Sequence, residues 1–136
     1  MTEFTLERDI TVFFVTAKSF PMGIKEAFDE LNVKLNGSRK RTYFGISNPE
    51  PGIGIVYKAC AEQLKDEESS GTHLPTIAIK AGKYHCIEIK NFHEDLSSIG
   101  KAFEEILKQP DIDHESFCLE IYNDDDGSVK CMVRKK

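Results

Sequence analysis

The chain contains no tryptophan, no C-x-x-C pair, no surplus of basic charge and no long apolar run. Each absence excludes something. Eighteen basic residues against 23 acidic ones leave a net charge of −5, which gives no electrostatic footprint for nucleic acid. The basic pieces Arg39-Lys40-Arg41 and Arg134-Lys135-Lys136 are short and read as solvated strand ends or a tail. No stretch approaches the ~20 apolar residues of a membrane span. Met1-Thr2-Glu3-Phe4 lacks the basic-then-apolar layout of a signal peptide, so a cytoplasmic protein is expected. Cys60, Cys86, Cys118 and Cys131 are widely separated and read as buried strand thiols rather than a disulfide framework. The four histidines (His73, His85, His93, His114) stand at no ligand spacing with them, so neither a metal nor a cofactor is expected. Gly52-Ile53-Gly54 has no helix behind it and reads as a hairpin entry, not a phosphate loop.

What the chain does have is a second half that echoes the first. A shift of 75 carries Ile24, Ala27, Phe28, Glu30 and Leu31 onto Ile99, Ala102, Phe103, Glu105 and Ile106, four of them identities. The same shift carries Val12 and Phe14 onto Ile87 and Ile89, and Phe44 and Ile46 onto Leu119 and Ile121. Self-similarity at a fixed offset indicates one supersecondary unit used twice. Two copies are too few for a solenoid, so a closed pseudo-symmetric domain with a cleft between its halves is expected. At 136 residues the chain makes one domain.

Ile10 to Ala17 is rich in β-branched and aromatic residues and predicts a buried strand, with Phe4-Thr5-Leu6 as a short strand before it. Pro21 and the stripe Ile24, Ala27, Phe28, Leu31, Leu35 predict a helix that Asn36-Gly37 stops. Thr42 to Ser47 and Ile53 to Ala61 follow as strands, which makes the first unit β-α-β-β. Repeat one spans about 4–61, a polar connector about 62–75 and repeat two about 76–134. The second unit reads as strands at Thr76 to Lys80 and Tyr84 to Lys90, then a helix from Asp95, its N-cap, to Gln109. A hairpin of Ser116 to Asn123 and Ser128 to Arg134 completes it. The fold class is therefore α+β: tandem β-α-β-β repeats with pseudo-two-fold symmetry and antiparallel sheets around a central cleft.

Alternation in the last hairpin sorts Phe117, Leu119 and Ile121 to one face and Cys118, Glu120 and Tyr122 to the other. The wholly apolar set is expected to pack against the helices. Glu120 and Tyr122 are then expected on the opposite, wet face, together with Gly45 and Ser47 of unit one.

Ala81-Gly82-Lys83-Tyr84, an amphipathic helix and then Phe117-Cys118-Leu119-Glu120-Ile121-Tyr122 resemble the GyrI-like small-molecule-binding family, which includes the effector-binding domains of multidrug-sensing transcription regulators. Tyr43-Phe44-Gly45-Ile46 and Tyr57-Lys58-Ala59-Cys60 are similar to its first-half strands. The resemblance covers about residues 4 to 134. It implies two β-α-β-β units around an aromatic pocket that takes bulky, often cationic compounds, with Glu120 as the acidic position, Tyr122 as the late aromatic and Tyr57 as the early one. The helix aromatics fall on Phe28 and Phe103, where this chain has Phe and not Trp or Tyr; both also sit mid-stripe on their helices, so helix–sheet core and pocket stay open for them. Phe44 and Cys118 complete the candidate ligand-binding set.

The residues support the chemistry independently, since aromatic faces attract cations and a carboxylate among them completes a receptor for a delocalised cation. Three functions remain open. The first is a stand-alone effector- or drug-binding domain for a bulky hydrophobic, cationic ligand. Both helices are used in the repeats, so the chain itself carries no DNA-reading element, though a separate regulator is a conceivable partner. The second is a hydrolase of reactive small molecules with Glu120 and a tyrosine as acid and base, for which the sequence offers no nucleophile–base set. The third is a protein-binding module of the gyrase-inhibitor type.

Overall fold

The computed structural model describes residues 1–35, 39–67, 73–95, 97–123 and 125–136. Among them the β-rich segments form β1 (Thr2–Leu6), β2 (Ile10–Thr16), β3 (Tyr43–Glu50), β4 (Gly54–Glu62), β5 (Thr76–Ile79), β6 (Gly82–Ile89), β7 (Cys118–Asn123) and β8 (Ser128–Arg134). The two amphipathic stripes form α1 (Ile24–Lys34) and α2 (Ser97–Leu107). Helix α1 begins three residues after Pro21, beyond a turn closed by Gly23 N–H donating to the Ser19 carbonyl at 3.1 Å. Ahead of α2 the Asp95 carboxylate accepts the Ser97 N–H at 3.1 Å, as its capping chemistry predicts. The Asn36-Gly37 stop and residues 68–72 of the connector lie outside the described residues.

The strands join one antiparallel sheet in the order β1-β6-β8-β7-β3-β4-β2-β5. Strand β1 pairs with β6, with Phe4 opposite Tyr84, and β2 pairs with β5, with Val12 opposite Ile77. Each half of the sequence therefore lends a strand to the other half's end of the sheet. At the β3–β4 hairpin, Gly52 takes φ +78°, a conformation that costs a glycine little.

Direct cross-strand partners share a face, so the register assigns the faces without ambiguity. Tyr43, Gly45 and Ser47 of β3 oppose Ala61, Ala59 and Tyr57 of β4 on one side and Tyr122, Glu120 and Cys118 of β7 on the other. Those three β7 residues in turn oppose Val129, Cys131 and Val133 of β8. Ala27 and Leu31 of α1 pack on Tyr57, Ala59 and Ala61, while Ala102 and Ile106 of α2 pack on Val129, Cys131 and Val133. Both helices thus lie on the face that carries Glu120.

This corrects the expectation that Glu120 and Tyr122 turn away from the helices. The other face is not wet. Val12, Phe44, Ile46, Ile79, Tyr84, Leu119 and Met132 form a helix-free core there. Partly buried side chains from both ends of the sheet, Phe4 and Leu6 of β1 and Ile77 of β5, pack against the same cluster. The sheet curls around that core as a half-barrel, so the most apolar set goes inside the curl and the mixed set faces the helices. The alternation was read correctly, but a second buried face was not anticipated.

Arg41 is a second correction. Its side chain is buried rather than solvated, forking onto the Glu67 carboxylate at 2.7 and 2.9 Å and donating to the Glu62 carbonyl. All four cysteines are free, with Cys60, Cys86 and Cys131 buried and Cys118 half-buried. Among the described residues no helix is long and apolar enough to cross a membrane.

Candidate functional site

Helix α1 rests on β2 and β4, and α2 on β6 and β8. The central pair β3–β7 is left between them, and its helix-side residues become the floor of a cleft. Ile24, Phe28 and Asn32 of α1, Phe92 and His93 of the 3-10 turn before α2, and Tyr43 and Tyr122 of the floor line a space of about 660 Å³.

Directly beneath Tyr122 is Glu120, only 5 % exposed. The Tyr57 hydroxyl donates to Glu120 Oε1 at 3.3 Å, Tyr122 donates to the same oxygen, and the two hydroxyls are 3.2 Å apart. The three groups form a closed triangle. Gly45 stands opposite Glu120 in the register, and the room it leaves is necessary. A Cβ there would collide with the Tyr57 hydroxyl and approach Glu120 Oε1 to 3.1 Å. Tyr57 itself is 1 % exposed and could not sit between α1 and the carboxylate if β3 carried a side chain at this position.

Burial raises the Glu120 carboxyl above the ordinary carboxylate range, and the two tyrosine hydrogen bonds offset only part of that rise. Among the described residues no lysine, arginine or histidine pairs with it. Burial first, and then the charge of Glu120, push both tyrosine phenols up. The same two causes raise the Cys118 thiol to about 11 and the Cys131 thiol to about 12. These thiols are protonated and unreactive at neutral pH.

Around the triangle the rings form a continuous wall. Phe28 meets Tyr122, Tyr57 and Tyr43 edge-on at centroid distances of 5.9, 6.4 and 6.4 Å. Phe92 lies 5.7 Å from Tyr122 on the far side, and Phe20 stacks on Tyr57 at 6.0 Å. The arrangement offers π faces above a buried carboxyl group that no cation among the described residues compensates, a combination suited to a large cation and unsuited to an anion.

The sequence-derived candidates divide by position. Glu120, Tyr122 and Tyr57 come together in the triangle, and Phe28 stands over them. Cys118 shares their face two residues from Glu120 but belongs to the core under α2, as does Phe103. Phe44 lies on the opposite face, inside the curl. Sequence reasoning did not select Tyr43, Phe92, His93, Ile24, Asn32 or Phe20. Tyr43 was legible, since it shares the parity of Gly45 and Ser47. Ile24 and Asn32 were legible once Phe28 was placed, at i−4 and i+4 along one helical row. Phe92 follows Asn91 at φ +53° in a short turn with no periodicity to betray it.

No protein family matches the chain, and no curated protein matches it. Solved structures do. The chain is similar to an integron cassette protein from the mobile metagenome of Vibrio cholerae at 14% identity and TM-score 0.69, over 99% of this chain and 95% of that one. It is similar to SAV2435, solved bound to tetraphenylphosphonium, at 11% identity and TM-score 0.64, over 99% and 93%. A third is a hydrolase from Listeria innocua, at 6% identity and TM-score 0.53, over 99% and 91%. At these identities the likeness shows a shared fold.

Proposed function

We propose that this chain is a small-molecule-binding domain of the GyrI-like kind, and that its ligand is a bulky lipophilic cation received in the cleft above Glu120. One observation carries the reading: a buried carboxyl group with no cationic partner among the described residues, held by two tyrosine hydroxyls under an aromatic wall. An ionised carboxylate there is costly until a positive charge joins it. A fold neighbour solved bound to tetraphenylphosphonium, a cation of that description, supports the same reading.

The strand order is consistent with the proposed duplication. Exchanging β1–β4 for β5–β8 turns the order into its own reverse. Gly45 and Glu120, equivalent under the 75-residue shift, face each other across β3–β7, where a pseudo-two-fold axis would pass. On that axis only one half supplies an acid, because the other must supply the space.

The test is calorimetric titration of tetraphenylphosphonium and of neutral triphenylmethanol into the protein and into Glu120→Gln. The cation should lose about 1.5–3 kcal/mol in the variant, the worth of a hydrogen bond or pair involving a charged group. The neutral compound should change little. Because the free carboxyl holds its proton to higher pH than usual, binding of the cation should release a proton and strengthen as pH rises through the free-state pKa. Equal losses for both compounds would make Glu120 a scaffold residue.

The same triangle favours a second reading, hydrolysis of a reactive small molecule. A carboxyl with a raised pKa beside phenols is equipped to act as a general acid, and a fold neighbour is a hydrolase. Turnover of a strained electrophile that Glu120→Gln abolishes would establish it, and binding without turnover would reject it.

A further inference from the structure

Four polar side chains line the cleft: Asn32, Tyr43, His93 and Tyr122, of which His93 lies against the Phe92 ring at 4.0 Å and both tyrosine hydroxyls are committed. The Tyr122 hydroxyl is spent on Glu120. The Tyr43 hydroxyl donates to Asn32 Oδ1 at 2.6 Å. That bond fixes the Asn32 carboxamide by its oxygen and leaves its nitrogen, with two donor hydrogens, without a partner among the described residues. Asn32 lies one turn beyond Phe28 on the helical row that faces the cleft, roughly 6 Å further along α1. On the floor, Tyr43 and Tyr122 stand two residues, roughly 7 Å, along the strands from Gly45 and Glu120. The cleft is therefore flanked by two chemically distinct groups: a carboxyl buried behind the Tyr122 ring on one side, and an oriented amide donor in the lining itself on the other.

We propose that Asn32 is a specificity residue of this cleft, its amide nitrogen donating to an acceptor oxygen, a carbonyl or an ether, carried by the cationic ligand some way from its charge. The ligand class narrows accordingly, from any lipophilic cation to one with a hydrogen-bond acceptor on its periphery. The inference rests on the cation-binding reading of the cleft, and its geometry adds what that reading does not require. A site selecting on charge and bulk alone has no use for a donor held in place in its lining.

Tetraphenylphosphonium and its para-acetyl derivative form a matched pair that differs by one acceptor. Both are titrated against the protein, Asn32→Asp and Asn32→Leu. Asn32→Asp keeps an acceptor for the Tyr43 hydroxyl and removes the donor. Its added charge acts on both cations alike and cancels in the ratio of their affinities. The unaltered protein should prefer the acetyl derivative by roughly 3- to 10-fold, the net worth of one neutral hydrogen bond. The preference should fall to about one in Asn32→Asp and in Asn32→Leu. An equal affinity for the two compounds in the unaltered protein, or a preference retained in either folded variant, overturns the assignment while leaving the cation site standing. Failure of the unaltered protein to bind either compound overturns both.

Discussion

Glu120 combines two properties that rarely occur together, near-complete burial and, among the described residues, the lack of a counter-charge. In the free protein its proton is held to higher pH than in the unfolded chain, whose carboxyl titrates near 4.5. The linkage sign follows. An acid whose folded pKa is raised contributes most below the unfolded value, and that contribution is lost as pH rises through the folded pKa. The unliganded protein should therefore lose stability across that interval, and Glu120→Gln should flatten this part of the profile and be the more stable protein above it. Urea denaturation at a series of pH values measures this directly, and parallel profiles for the two proteins would refute it. At this scale much was legible: Glu120, Tyr122 and Tyr57 were nameable from strand parity and the family resemblance. Their hydrogen-bonded triangle was not, because it depends on Gly45 leaving space across a pairing of residues 75 apart, and parity within one strand carries no register.

The two helices looked interchangeable in the sequence, each with Ile, Ala, Phe and Glu at matching positions. In the structure they differ in what their phenylalanines meet. Phe28 turns along the cleft-facing row toward three tyrosine rings, whereas Phe103 is half-buried in the core beneath α2. Phe103→Ala should lower stability by roughly 2 kcal/mol, below the 3–5 kcal/mol typical of a fully buried ring. Its folded fraction should keep its affinity for tetraphenylphosphonium. Phe28→Ala should weaken that affinity by ~0.5–2 kcal/mol, the range for one aromatic face on a cation. Thermal denaturation and titration on the same preparations separate the two effects, and equal affinity losses in both variants would mean that the helices share the site. The apolar stripe predicted each helix well. It did not foresee which phenylalanine would face the cleft, since that depends on neighbours from other elements: Phe92 and Tyr122 between the helices, and Phe20 over Tyr57.

For the whole molecule, the sequence indicated eight strands and two helices in the observed order but not the exchange of end strands or the curl they close. Periodicity reports which side of a strand is apolar. When both sides are buried, it cannot say which one the helices cover, and this is why Leu119 and Ile121 were assigned to the wrong partner. The exchange has a mechanical consequence. Strand β1 finds its partner in β6, and β5 in β2, so neither half of the chain retains all its own pairings. The core inside the curl is divided likewise, with Val12, Phe44, Ile46 and Cys60 from the first half and Ile79, Tyr84, Cys86, Leu119 and Met132 from the second. A fragment ending at Glu67, or one beginning at His73, would expose half of that core and leave an edge at β3 or β7 unpaired. Each fragment alone should be unfolded or aggregate, because half a core of this size does not offset the conformational entropy of ordering a chain of that length. Mixed, the two should reassemble the sheet and recover binding of tetraphenylphosphonium, since the cleft floor forms only when β3 meets β7. Proton–nitrogen correlation spectra of each fragment and of the mixture decide the matter. Dispersed, native-like spectra from either fragment alone would show that the exchanged strands are accessories to two self-sufficient units.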